Sequence, residues 1–158
     1  MSPFVREFSS GSTLEEVSAL ASVVRRMAEQ AGCTQEEIFA LDLAASEAAS
    51  NSVVHAYRKE PGHLVRVRLA VEPTEIVLTV LDDGWPVPPE RRIPRPPPDG
   101  VDDPGLLAES GRGLYLIHQV MDSVSFETQD GSNVLVMKRR RPRIGVTAEI
   151  PKPRGNAS

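Results

Sequence analysis

A chain of 158 residues, 40% of them hydrophobic, is sized for one domain with one core of ordinary extent. Aromatics supply only 4% of it, so Leu, Val, Ile and Ala must fill that core, which suits a domain of helices and sheet better than a sheet sandwich. A formal charge of -4 and a pI near 5.4 offer no global attraction to polyanions and argue against direct nucleic-acid binding.

The opening MSPFVREFSS lacks an apolar signal core, and no later segment approaches the ~20 apolar residues of a bilayer span, so a cytoplasmic protein without membrane contact is expected. A short strand is predicted over 4–8. Ser12 and Glu15 have capping-box spacing and announce a helix, on which Val17, Leu20, Ala21, Val24 and Met27 share one face. Cys33 is the one cysteine, which excludes an intrachain disulfide and is expected as a buried thiol in a reducing compartment. A second capping box, Thr34 with Glu37, opens a helix predicted to run to about Arg58, with Ile38, Leu41, Ala45, Ala49 and Ala56 as its core stripe.

Residues 64–71 alternate, Val65, Val67, Leu69 and Val71 opposing Arg66 and Arg68, as in a half-buried strand. Residues 75–82 are apolar on both sides and predict a central strand, paired to the first through a turn at Pro73-Thr74. From 85 to 110 the chain carries eight prolines (86, 88, 89, 94, 96, 97, 98, 104) and two glycines (100, 105), the composition of a long loop or lid. A helix is predicted from 111 to about 121, then strands over 123–128 and 133–138 joined at Asp130-Gly131. The domain is expected to close at residue 140, leaving 141–158 as a disordered basic and proline-containing tail.

Three groups of residues have the character of a site. Glu47, Asn51 and His55 stand four apart on the second helix, in one polar stripe flanked by Ala44 and Ala48, whose short side chains let a ligand approach. Asn51 has mediocre helix propensity in an alanine-rich segment, which suggests a functional carboxamide or a buried hydrogen bond. Asp82 and Gly84 end a buried strand at the mouth of the long loop, a position shared by ligand-binding acids and ordinary turns. Gly111-Arg112-Gly113-Leu114 opens a helix, where unhindered amides and the helix dipole favour phosphate. Neither the dinucleotide glycine fingerprint nor a Gly-x-x-x-x-Gly-Lys-Ser/Thr loop is present.

The order Glu47-x-x-x-Asn51-x-x-x-His55, Asp82-x-Gly84, Gly111-x-Gly113 resembles the Bergerat (GHKL-type) ATP-binding fold of gyrase, Hsp90, histidine kinases and anti-sigma kinases. Through LAASEAASNSVVHAY (43–57) and GRGLYLIHQVMD (111–122), the chain is most similar to the anti-sigma factor serine kinases. The resemblance implies an α+β two-layer sandwich, its helices on one face of a mixed, mainly antiparallel sheet, with ATP between the second helix and the lid. It implies that Asp82 accepts from the adenine amino group, Asn51 ligates Mg²⁺, and Glu47 is the general base. By the same carry-over His55, Gly84, Gly111, Arg112, Gly113, Leu114 and Ser132 bind the nucleotide. The implied activity is phosphorylation of a serine on an anti-sigma factor antagonist, with sequestration of a sigma factor by partner switching, carried out by a homodimer.

The chain departs from that pattern in three places. Pro86 stands where the family has a second glycine after Asp82, Ser132 replaces a threonine, and Glu109-Ser110 precede the glycine pair where some relatives carry arginine. The alternative is an ATP-binding regulator with little or no kinase activity that acts by nucleotide-dependent protein binding.

Overall fold

The computed structural model describes residues 3–96 and 112–142. Five strands, β1 (Phe4–Gly11), β2 (Leu64–Val71), β3 (Glu75–Asp82), β4 (Ser123–Gln129) and β5 (Ser132–Arg140), form one sheet in the order β1-β2-β3-β5-β4. All four pairings are antiparallel, so the expected mainly antiparallel sheet is wholly so among the described residues. Helices α1 (Leu14–Gln30), α2 (Gln35–Asn51) and α3 (Gly113–Val120) cover one face, giving the expected α+β sandwich.

Pleating decides what each strand offers. Along β3, Ile76, Leu78, Val80 and Asp82 are buried under the helices, while Val77, Thr79 and Leu81 are half-buried on the opposite face. The expectation of a strand apolar on both sides at the sheet centre therefore holds. β2 delivers Val65, Val67, Leu69 and Val71 to the same core, as its alternation predicts. Asp130 and Gly131 both adopt positive φ, 52° and 83°, between β4 and β5, the backbone that a two-residue hairpin requires.

The predicted stripe of α1 is buried throughout. Its cap falls one residue later than expected. Thr13 Oγ1 accepts from Glu16 N at 3.2 Å, because Ser12 is fully buried and otherwise engaged: its Oγ donates to Glu60 O (2.8 Å) and accepts from His63 N (3.1 Å). The second capping box forms as predicted, with Glu37 N on Thr34 Oγ1 at 3.1 Å and Thr34 N on Glu37 Oε1 at 2.9 Å. Ala40, Ala44 and Ala48 are buried beside the predicted stripe because α2 packs against both α1 and α3, and only small side chains admit two close neighbours.

That helix does not run regularly to Arg58. α2 ends at Asn51 and continues as a π turn, Ser52–Ala56, closed by Tyr57 N on Ser52 O at 2.9 Å. Arg58 and Lys59 then turn left-handed, with φ of 51° and 63°. A π turn holds more residues than an α turn, so it shifts the side chains after Asn51 out of the i, i+4 register.

Contacts to the helices continue through Arg141. Arg139 and Arg140 belong to β5, and Arg141 reaches back to α2: its Nε meets Glu37 Oε2 at 2.9 Å and its Nη2 meets Glu37 Oε1 at 3.2 Å. Arg139 adds bonds to Val120 O (2.6 Å) and Glu36 (3.1 Å). The remaining tail, from residue 143, lies outside the described residues.

Burial alone would push the Glu37 carboxyl up, but the bonds from Arg141 and from the Thr34 amide and hydroxyl bring it below its ordinary value. A depressed carboxyl stabilises the fold above its unfolded pKa, about 4.3, and that contribution fades as pH falls through the lower folded value. Glu37→Ala is expected to cost about 3 kcal/mol in urea unfolding at pH 7, because it strands a buried guanidinium and removes a cap. Glu37→Gln should flatten the acid limb of the stability profile below pH of about 4; an unchanged limb would assign acid sensitivity to other carboxylates.

Candidate functional site

β3 ends by carrying a carboxylate into the core. Asp82 is only 5% exposed, and a charge there must be matched by donors. Three are present. Ser52 Oγ donates to Oδ2 at 2.7 Å, Asn133 Nδ2 to Oδ1 at 2.7 Å, and Gly84 N to Oδ1 at 3.1 Å. A carboxylate has about four acceptor positions, so one remains for a further donor. Ser52 reaches Asp82 from the π turn, and Asn133 lies directly opposite it in the β3–β5 register.

Around Asp82 opens a cleft of about 1180 Å³, walled by Asn51 and His55 on one side, Leu114 of α3 on another, and the segment from Trp85 to Arg95 as its rim. Asn51 makes no side-chain hydrogen bond with another described residue, leaving its carboxamide available at the cleft wall. His55 Nδ1 is paired with Arg91 of the rim. Burial, and then the Arg91 charge, hold its imidazole below the ordinary value and favour the neutral ring. Arg58, Arg92 and Arg95 line the cleft with Arg91, facing the acids Asp82, Glu90 and Glu127, and the rim segment itself carries three of these arginines against Glu90, groups suited to meet an anion. Arg58 stacks on Trp85 with its guanidinium carbon 4.4 Å from the ring centre.

Glu47 lies deeper, against the first turn of α3. A Cβ at Gly113 would stand 2.5 Å from Glu47 Oε2, so a larger residue there would make the Glu47 carboxyl swing aside. Burial raises its pKa above the ordinary carboxylate range. Gly84 plays a comparable part: a Cβ would stand 2.5 Å from the Ala56 carbonyl carbon and oxygen, and Trp85 N donates to that same oxygen at 2.9 Å. Gly84 is thus a glycine of close approach, supporting Asp82 through its amide. Tyr57 completes the junction, donating to Leu64 O at 2.6 Å and accepting from Asp83 N at 2.7 Å.

Of the residues expected at a site, Asn51, His55, Asp82 and Leu114 line one cleft, with Gly84 and Gly113 packed behind it and Glu47 against Gly113. Arg112 is the N-cap residue of α3 and its Nε donates to Pro96 O at 3.1 Å, at the rim. Gly111 and positions 97–110 of the expected lid lie outside the described residues. Between 85 and 96 that lid holds one 3-10 turn, Pro89–Arg91.

Ser132 is the exception. Its hydroxyl donates to Asp83 and accepts from Arg66 Nη2 (3.3 Å), on the sheet face away from the helices, so it is not brought to the cleft. Asn133, one residue on, takes the inward position. Sequence reasoning also passed over Ser52, whose signal would have been a polar residue on the otherwise apolar side of α2.

Replacing Gly84 by Ala forces backbone against backbone where the π turn meets the rim. Gly84→Ala is expected to lower unfolding stability by about 1–3 kcal/mol in urea titration. A midpoint equal to the parent's would mean the rim does not need this close approach.

Comparison with known proteins agrees with this architecture. The model of the histidine kinase-like ATPase domain family matches residues 11–139. Serine-protein kinase RsbW of Bacillus subtilis (strain 168) is 31% identical over 128 residues, covering 78% of this chain and 78% of that protein. RsbW of Bacillus licheniformis is 30% identical over 150 residues, covering 90% and 92% respectively. The crystal structure of the RsbU and RsbW domains of Rv1364c from Mycobacterium tuberculosis superposes with a TM-score of 0.60 at 16% identity, a likeness of fold. It covers 93% of this chain, which spans 35% of that longer one. The chain therefore belongs to the histidine kinase-like ATPase domain family, on the branch of the RsbW serine-protein kinases.

Proposed function

We propose that the protein is an ATP-dependent serine-protein kinase that phosphorylates a serine on an anti-sigma factor antagonist and, when that antagonist is not bound, sequesters a sigma factor. The observation that carries this reading is the convergence of Asn51, His55, Asp82 and Leu114 on one cleft, with Glu47 against Gly113, the neighbour of Leu114, in a chain similar to the RsbW kinases.

The donor set of the cleft fits the nucleotide. The acceptor position left on Asp82 matches the exocyclic amine of adenine, and the arginines at the mouth match a triphosphate. No group of three or more His, Cys, Asp or Glu residues suited to hold a metal occurs among the described residues. The family resemblance assigns Asn51 to Mg²⁺, and its carboxamide at the cleft wall would be the protein's contribution to an ion held mainly by phosphates and water. When bound, Mg²⁺ supplies neutralisation of phosphate charge and alignment of the γ-phosphoryl group.

The partner's serine hydroxyl attacks the γ-phosphorus in line, a new O–P bond forms, and the bond to the β-phosphate bridging oxygen breaks to leave ADP. Glu47 takes the hydroxyl proton. Burial raises its pKa toward the working pH, which makes the carboxylate a stronger base than an exposed one. The phosphoserine product carries about two negative charges and weakens the antagonist's hold on the kinase.

The same reading has the protein in the cytoplasm, as a homodimer, acting on proteins without direct nucleic-acid or membrane contact. Among the described residues no helix is long and apolar enough to cross a membrane.

Purified protein, Mg-ATP and a candidate antagonist, followed by mass spectrometry, should yield phosphoserine on the antagonist, with transfer lost in Glu47→Ala and Asn51→Ala. ATP binding without transfer to any cognate antagonist would sink the kinase reading in favour of nucleotide-dependent binding. The single-turnover rate should fall as pH drops through the raised Glu47 pKa, since the base is then protonated. In Glu47→Gln the residual rate should be small and flat with pH; an undiminished acid limb would assign the titration elsewhere.

A further inference from the structure

We propose that Asn133 is a positioning residue that couples the base-recognising carboxylate to the Trp85 end of the cleft rim. The inference rests on the reading of the cleft as a nucleotide site, and it begins from an amide whose two N–H groups are both committed. Asn133 Nδ2 donates to Asp82 Oδ1 at 2.7 Å and to Trp85 O at 2.9 Å, with Gly84 O at a longer 3.4 Å.

All three partners are acceptors. Turning the amide over would set its oxygen against a carboxylate and two carbonyls, so the surroundings fix its orientation. β5 holds the residue there, because Asn133 stands opposite Asp82 in the antiparallel register and faces the cleft it lines. One side chain thereby ties two things that move for different reasons. Asp82 must keep its rotamer to meet a base, whereas Trp85 begins the rim segment that bounds the nucleotide.

The rest of the junction has no second link of this kind. Gly84, whose N–H bonds Asp82, is joined to Trp85 by a peptide bond, and the π turn bonds Asp82 through Ser52 and Trp85 N through Ala56 O, but neither path is one side chain holding both the carboxylate and the Trp85 carbonyl. Without Asn133, a shift at Asp82 on nucleotide binding reaches the Trp85 carbonyl by no direct hydrogen bond among the described residues. Asn133 therefore transmits occupancy of the base subsite to the rim.

Trp85 is the chain's one tryptophan, 59% exposed at the edge of the cleft, so the tryptophan emission arises from the rim. Mg-ADP is the probe, with affinity measured by calorimetry and the rim by Trp85 emission. Asn133→Ala is expected to weaken Mg-ADP by about tenfold, the effect of losing a charge-assisted hydrogen bond, and to abolish the nucleotide-dependent change in emission. Asn133→Thr retains a single O–H donor, on a residue well suited to a strand. It can satisfy Asp82 or Trp85 O but not both, so affinity should return to within about threefold of the parent while the emission change stays lost.

An emission change of parental size in both variants would overturn the coupling, whatever happens to affinity. Should Asn133→Ala fail to fold, Asn133→Thr alone decides the question, since its affinity and its emission are expected to part company. A parent protein that binds no Mg-ADP would instead overturn the nucleotide reading itself, and the coupling with it.

Discussion

The structure is organised around one buried negative charge. Asp82 sits at the end of the central strand in a site only 5% exposed, and an ionised carboxylate there is tolerable only if donors surround it. Each neighbouring irregularity supplies one. The π turn swings the Ser52 hydroxyl under Oδ2, the close approach of Gly84 to Ala56 holds an amide against Oδ1, and the β3–β5 register sets Asn133 opposite. Departures from regular geometry gather where the charge is, as they do where structure is bent to a purpose.

The opposite end of α2 is held by a second buried charge. Glu37 closes the capping box with Thr34 and at the same time receives the bidentate fork of Arg141 from beyond β5. The helix is thus tied to the sheet at both ends, by Glu37 near its start and through Ser52 just past its finish. Asn51 and Glu47, one turn apart near that finish, inherit their positions from these anchors.

Local signals in the sequence were read correctly where a local rule decides the outcome. The Thr34 capping box, the apolar stripe of α1, the alternation of β2 and the Asp130-Gly131 turn each involve residues close in the chain. What the sequence could not yield depended on contacts across it. Ser12 was a plausible cap until the carbonyl of Glu60 and the amide of His63 claimed its hydroxyl. The family pattern names Ser132 by position, whereas strand register decides which of two neighbours faces inward, and a single step reverses the answer. The regular spacing of Glu47, Asn51 and His55 assumed 3.6 residues per turn, and only the second of its two intervals breaks that assumption. Arg141 read as tail because its partner stands more than a hundred residues away.

The pairing of β3 with β5 closes the sheet across the whole stretch that contains the rim and the undescribed segment. Asp82 and Asn133 stand opposite each other in that ladder, so the backbone bonds of β3 and β5 fix the separation of the carboxylate from the amide that holds it. The floor of the cleft is thus set by an eight-pair backbone ladder before any side chain on it is chosen.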